Sequence, residues 1–547
     1  MTTDSRPDRR RRVLRRVITA LAVVFVLLAL VVPNDLSRLT PGEFLRIPLE
    51  GLLGAALILA LPAKPRRVVA AAAGAALGLL LIVKFLDMGF NQTLGRTFDP
   101  LFDWSFLGPG LDFLGSAVGR TGAIAIAVGA GILVVAVVVL MALAAMRVTR
   151  LAVGRRTATT RTVAVLTVVW IFAAAFGLPI AAKDTAAIAY AHAGQVRVGL
   201  KDHQAFTAEV SADAFRGTPG DELLTGLRGK DVMLTFVESY GRVAIEGQDI
   251  APQVDAVLDA GTAKLRAAGF SARSAFLTSS TFGGGSWLAH STTQSGVWIN
   301  NQQRYDNLLA GDRLTLSGAF KRAGWRTVGQ MPQHTMDWPE GKYYGYDQYY
   351  DGRNVGYQGP NFFYAAMPDQ YTLSAFQRLE RSTPGHAPVM AEIALVSSHT
   401  PWTPVADLID WNDVGDGAVF KPMPDKGKKM EDVWPDPVKV RAAYTESIQY
   451  SLNTLISYVQ TYGDDNLVLV FLGDHQPAPI VAGDNATRDV PITIVARDPA
   501  VLDKVTGWGW QDGLNPSPNA PVWPMNSFRD RFLTAFGPNA GQSKPAH

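Results

Sequence analysis

The pattern of apolar and polar positions divides the chain into two unlike parts. Before about residue 183, apolar residues run on with almost no alternation. Five stretches, about 17–32, 44–63, 68–86, 122–146 and 162–182, are each near the ~20 residues a helix needs to cross a bilayer. The fourth carries no charge along its length, whereas the second has Arg46 and Glu50 near its start. Beyond residue 230 the pattern becomes short apolar runs alternating with helical periodicity. Asp231–Val237, Val389–Ser397, Leu467–Leu472 and Val490–Ala496 read as buried strands. Val254–Ala268, Leu314–Ala323 and Val438–Tyr462 read as helices. Strands alternating with helices predict an α/β domain with a largely parallel sheet. Residues 183–229 read as a polar connector, and 410–437, rich in Pro, Asp, Lys and Trp, as an excursion from the core. The expected organisation is a five-helix transmembrane domain over 1–182, the connector, and a second domain over 230–547.

Charge orients this arrangement. Arg6, Arg9–Arg12, Arg15 and Arg16 precede the first apolar run. Lys64, Arg66 and Arg67 fill one turn, and Arg147, Arg150, Arg155, Arg156 and Arg161 fill the loop before the fifth run. The alternate loops are weaker and mixed in charge, so the amino terminus is expected in the cytoplasm. Five spans then place the second domain outside. The loop Phe98–Leu114, with Trp104, suits a membrane interface or a plain ordered loop. Over all 547 residues the formal net charge is only +3, too small to imply a nucleic-acid partner. The chain has no cysteine, which excludes disulfides, thiolate metal sites and cysteine nucleophiles.

Candidate chemistry gathers at strand ends, where α/β sheets bind ligands. Glu238 directly follows the first strand. Asp474 and His475 follow Leu467–Leu472 through a single glycine, and His399 follows the strand that ends near Ser397. Between them lies Phe282-Gly283-Gly284-Gly285-Ser286, a glycine run suited to a tight turn that presents a hydroxyl. Each residue alone has a plain reading: a loop carboxylate, a surface turn, a helix-capping serine. Together, in a chain with eight histidines, they can form a site of three oxygens and one nitrogen. That donor set suits one divalent ion, Mn²⁺ first, with Mg²⁺ or Zn²⁺ as alternatives. A dication would lower the pKa of the Ser286 hydroxyl and make it a nucleophile. Thr281, five residues earlier, is the alternative hydroxyl.

In order and kind, these motifs resemble the sulfatase-like branch of the alkaline phosphatase superfamily. The nearest likeness is to lipoteichoic acid synthases and related phosphoglycerol or phosphoethanolamine transferases, which also carry about five membrane helices before an extracytoplasmic catalytic domain. The resemblance implies that Glu238, Asp474 and His475 hold the metal and that Ser286 takes the place of the family's nucleophilic threonine. It also implies that His399 binds substrate phosphate and that Trp338 lies in the substrate pocket. The family's arginine shortly after that tryptophan is missing, since Pro339-Glu340-Gly341 stands there; Arg353 is the substitute candidate. The formylglycine signature of true sulfatases is absent, because Ser286 is followed by Trp-Leu-Ala-His.

The expected function is transfer of a phospholipid-derived head group to an envelope glycan, glycolipid or lipid, with a membrane lipid as donor. Hydrolysis by the same type of domain, as a phosphodiesterase, phosphatase or sulfatase, is the alternative. A non-catalytic envelope protein is the third reading.

Overall fold

A computed structural model describes residues 6–538; residues 539–547, the end of the expected catalytic domain, lie outside the described residues. The chain divides into two compact units, one of 1–92 with 96–200, the other of 93–95 with 201–547.

The first unit is helical: α1 (Arg6–Val31), α2 (Leu49–Ala60), α3 (Ala63–Leu94), α4 (Leu107–Gly154), α5 (Arg156–Ala175) and α6 (Asp184–Ser211). Among the described residues four helices, not the five expected, are long and apolar enough to cross a membrane: Arg10–Val31, Ala63–Leu94, Val118–Gly154 and Arg156–Ala175. The stretch 44–63 forms only the 12-residue α2, ~18 Å of helix against a hydrocarbon core of ~30 Å. Pro48 precedes it and Pro62 follows it, and a residue before proline is biased away from helical geometry. The expected interfacial loop instead forms a 3-10 turn, Asp103–Phe106, and the start of α4, which kinks at Gly119. The expected polar connector is largely the 28-residue α6.

Short as it is, α2 runs alongside α5. Ile47 and Pro48 pair with Ala181 and Ala182, whose chain has folded back until the Ala182 carbonyl accepts from Trp170 Nε1. At the other end Arg156 donates to the Leu59 carbonyl. The basic ends of the segments share one end of the bundle. There Arg147 of α4 donates to Thr19 Oγ1 and the Arg15 carbonyl of α1, and Arg66 caps the Leu61 carbonyl.

The second unit is built on a nine-stranded mixed sheet. Its strands are β1 (Asp231–Val237), β2 (Ser271–Thr278), β3 (Arg326–Met331), β4 (Gln348–Asp351), β5 (Val389–Leu395), β6 (Leu467–Gly473), β7 (Asp489–Ala496), β8 (Gln511–Asp512) and β9 (Val522–Pro524). The order is β8-β2-β7-β6-β1-β5-β3-β4, with β9 also on β2. From β6 to β4 every pairing is parallel. Besides the two-residue β8, antiparallel to β2, the departure from a wholly parallel sheet is β7, antiparallel to both β6 and β2. Its cause is the connection 474–488, which carries only the single helical turn Pro479–Ala482, whereas a parallel return needs a full crossover. Every residue of β1, β6 and β7 is buried, which is why these strands read as continuous apolar runs. Helices α7 (Ala251–Ala267) and α9 (Pro437–Tyr462) bury Leu258, Leu455 and Val459 in the same cluster as Met233 and Leu469. The segment 410–437 is no excursion, because Trp411 and Val433 belong to that cluster.

At the edge where the parallel strands begin, buried Asp231 joins β1 to β5. It accepts from the Val389 amide at 3.1 Å and pairs with the buried Arg381 at 2.9 Å. Removing one partner of a buried pair strands the other charge. Asp231→Ala is therefore expected to lower the stability of this unit by ~3 kcal/mol, read as a lower denaturant midpoint of the full-length protein.

Candidate active site

Because β1, β2, β5 and β6 run in one direction, their carboxyl ends meet at one edge, where β1, β2 and β6 each supply part of a single cluster. Glu238 follows β1, Asp474 and His475 follow β6, and Ser286 is reached through the turn after β2. The local sequence makes these turns possible. Gly473 is required because a Cβ there would lie 1.8 Å from the Tyr240 carbonyl oxygen. Gly283 and Gly285 have φ of 69° and 83°, where a side chain is strained. The run thus ends with Ser286 as the first residue of α8 (Ser286–Ser295). Ser239 carries φ 57°, an uncommon conformation for a residue with a side chain. It is held by three bonds: its amide donates to Asp474 Oδ1 at 2.8 Å, its hydroxyl to Glu238 Oε1 at 3.2 Å, and its carbonyl accepts from the Tyr444 hydroxyl at 2.9 Å.

The cluster is tight. Ser286 Oγ donates to Glu238 Oε2 at 3.0 Å and lies 3.3 Å from His475 Nε2. His475 Nε2 is 3.2 Å from Glu238 Oε1 and 3.6 Å from Asp474 Oδ2. Ligand atoms of Glu238, Asp474 and His475 all lie within 4.8 Å of one another, and all three residues are buried. His475 Nδ1 donates to the Gln476 carbonyl at 2.8 Å, which leaves Nε2 as the ring's ligand atom. Asp474 Oδ2 is buried with no hydrogen-bond partner. An orphaned carboxylate oxygen, a fixed imidazole lone pair and a second carboxylate are the donor set of a divalent metal site, so the residues present fit the expected ion.

The electrostatics agree. Burial alone would raise Glu238, but the hydrogen bond from His475 and the charges of His399 and His475 hold it well below the usual carboxylate range. Burial and the Glu238 charge push Asp474 up to about 6. Burial pulls His475 down, yet the Asp474 charge and the bond to Glu238 outweigh it and raise the imidazole to about 9.

Of the other expected residues, His399 faces the cluster. It is half-buried, stacks on Tyr364 at 4.0 Å, donates from Nδ1 to the Thr400 carbonyl, and is close enough for its charge to act on Glu238. Neighbouring Ser398 donates to the Glu238 carbonyl at 2.6 Å. Thr281 is buried and its Oγ1 has no hydrogen-bond partner. Trp338 lies beyond β3 in an aromatic group with His334, Tyr344 and Tyr349. Arg353 is engaged by Asp337 and Asp351 at 2.8 and 2.7 Å.

Three residues near the cluster escaped the sequence analysis. His290, one helical turn beyond Ser286, stacks on Phe236 at 3.7 Å and donates from Nδ1 to Glu392 Oε1 at 3.0 Å. Glu392, buried within β5, also accepts from Gln294 and from the Tyr346 hydroxyl. His334 senses the charge of His290. The available signals were a histidine at i+4 from the candidate nucleophile and one carboxylate inside an apolar strand.

No protein-family model and no curated protein matches the sequence. Solved structures similar to the chain include the lipoteichoic acid synthase LtaP from Listeria monocytogenes, at 14% identity and TM-score 0.38, covering 61% of this chain and 78% of that one. Another is a protein of the alkaline phosphatase superfamily from Vibrio parahaemolyticus, at 13% identity and TM-score 0.36, covering 62% and 75%. A third is the Streptococcus pyogenes phosphoglycerol transferase GacH, at 13% identity and TM-score 0.34, covering 61% and 90%.

Metal binding should release protons. With His475 titrating at about 9 and Asp474 at about 6, the metal displaces about one proton between these values and approaches two below pH 6. Affinity should therefore fall as pH drops from 9. Calorimetry with Mn²⁺ in buffers of different ionisation enthalpy reads the proton count directly, and a pH-independent affinity would contradict this ligand set.

Proposed function

We propose that the protein is a membrane-anchored, metal-dependent phosphotransferase. It moves a phospholipid-derived head group, of the phosphoglycerol kind, to a cell-envelope glycan, glycolipid or lipid through a covalent intermediate on Ser286. The observation that carries this reading is the Ser286 hydroxyl at 3.0 Å from Glu238 and 3.3 Å from His475, within a donor set suited to a divalent ion. Glu238, Asp474, His475 and Ser286 would hold that ion. When bound, it lowers the hydroxyl pKa and offsets charge on the phosphoryl group.

The remaining work falls to the chain. Ser286 Oγ attacks phosphorus as its proton leaves. The bond from phosphorus to the lipid glycerol oxygen breaks, and that oxygen departs protonated as the diacylglycerol hydroxyl. The acceptor hydroxyl then attacks the phosphoserine, and Ser286 recovers a proton as the acceptor gives one up. His399, whose charge acts on Glu238, would bind the phosphoryl oxygens, and Trp338 with its aromatic neighbours would receive the head group. The start of α8 adds a partial positive charge where the phosphate would sit.

The arrangement of the bundle supports an outward-facing catalytic unit. The basic ends of α1, α3, α4 and α5 lie together with the carboxyl end of α2, so α2 runs from the opposite end back to the basic one. With the basic end in the cytoplasm, the chain leaves α5 on the outer side and the catalytic unit is extracytoplasmic.

Two experiments test this reading. Full-length protein in nanodiscs of mixed phospholipids with Mn²⁺, digested and analysed by mass spectrometry, should show a head-group phosphate adduct on the Ser286 peptide. Ser286→Ala should lose at least ~10³-fold in turnover, while Thr281→Ala retains it; the reverse result would move the nucleophile to Thr281. Because the chain lacks cysteine, single cysteines report topology. A membrane-impermeant maleimide on intact cells should label Asp249→Cys but not Thr157→Cys, and the opposite pattern would place the catalytic unit inside.

A further inference from the structure

Within the helical unit lies a cavity of about 690 Å³, of the size of small-molecule sites but not of their shape. Its wall follows α3 from Ala70 to Val83, a length of ~20 Å at the helical rise. This is longer than the ~15 Å of hydrocarbon in one leaflet. Volume over length leaves a mean cross-section of ~35 Å², room for a hydrocarbon chain or two side by side and not for a rounded ligand. Small residues of α2 and α3 create the space: a methyl added at Gly54 would meet nothing within 4 Å.

Polarity is confined largely to one end, where Glu50, Thr185 and His192 form the wall. Two of these are satisfied within the protein. His192 binds Gln195 and Asp87 at 2.8 and 3.1 Å, and Thr185 donates to the Leu30 carbonyl. Glu50 is half satisfied: Oε1 accepts from the Ala186 amide at 2.8 Å, while Oε2 is buried with no hydrogen-bond partner. Thr149, at the far end, is also unpartnered, but a helical threonine can turn its hydroxyl back onto the carbonyl four residues earlier. Glu50 alone therefore needs a donor from outside the chain, because an acceptor left bare at membrane depth is costly.

The donor's chemistry is narrowed by charge. No lysine or arginine lines the cavity among the described residues. The nearby Lys84 ammonium donates to the Ala29 carbonyl and Thr185 Oγ1 at 3.0 and 3.2 Å and lies outside the cavity wall. A phosphate head would meet the Glu50 carboxylate with no lysine or arginine in the cavity wall, among the described residues, to pair with it. We propose that this cavity is a binding site for a glycerolipid whose polar end is an uncharged free hydroxyl, which donates to Glu50 Oε2 while its hydrocarbon chain lies along α3. Such a lipid is what remains when a phospholipid loses its phosphorylated head group, but recognition at this site does not depend on that reaction.

Photoreactive diacylglycerol and photoreactive phosphatidylglycerol, at equal mole fraction in vesicles holding the full-length protein, test the site. Adducts are mapped by mass spectrometry. Diacylglycerol should label 51–58 and 70–83 about tenfold more than the phospholipid, the worth of one buried hydrogen bond to a carboxylate. Gly54→Phe, which fills the space, should abolish that labelling. Glu50→Leu should reduce diacylglycerol to the phospholipid level, and it carries the test if Gly54→Phe does not fold. Equal labelling by the two probes, or a preference that survives Glu50→Leu, overturns the proposal. Ser286→Ala should label like the wild type, so failure of the catalytic reading leaves this result intact.

Discussion

Two carboxylates and an imidazole buried within 4.8 Å of one another can coexist only if positive charge lies among them. Without a metal, that charge is a proton on His475, whose pKa rises to about 9 for this reason. The structure around the cluster serves to keep the groups this close. The parallel strands end at one edge, Gly473 lets the β1 and β6 turns touch, and Ser239 accepts an unfavourable backbone conformation that puts its amide on Asp474. Asp474 spends Oδ1 on two backbone amides and leaves Oδ2 orphaned. Such a carboxylate is positioned for a ligand and not for its own satisfaction.

Ser286 completes the arrangement because of where α8 begins. Gly283 and Gly285 before it adopt left-handed conformations, so the chain turns from β2 into the helix within a few residues, and the first helical side chain faces Glu238 and His475. One turn later His290 is fixed by Glu392, which also holds Gln294 and Tyr346. The face of α8 that carries the candidate nucleophile is thereby pinned to the centre of the sheet, and its position does not rest on the glycine turn alone.

Much of this was legible in the sequence, for physical reasons. Strands β1, β5, β6 and β7 are buried on both faces and so appear as unbroken apolar runs, and the residues following β1, β5 and β6 include the candidates Glu238, His399, Asp474 and His475. Strands β2, β3 and β4 escaped notice because they are short or interrupted, as in Ser271-Ala272-Arg273-Ser274, where polar residues alternate with small ones. The reversal of β7 depends on a connection too short for a crossover helix, which a local pattern does not display. The second membrane segment was overestimated because its hydropathy outlasts its helix, which Pro48 and Pro62 bound. His290 and Glu392 were missed because their significance lies in pairing across 102 residues, whereas Asp474 and His475 stand side by side. Trp338 was assigned by resemblance alone, and its aromatic group is built by residues from 334 to 349 acting together.

The account turns on whether Glu238, Asp474, His475 and Ser286 share one ion. Anomalous diffraction at the manganese edge, from crystals grown with Mn²⁺, tests this most directly. The account predicts a single peak within bonding distance of one atom from each of the four residues. A peak elsewhere, or none at this cluster with the metal present in excess, would contradict it.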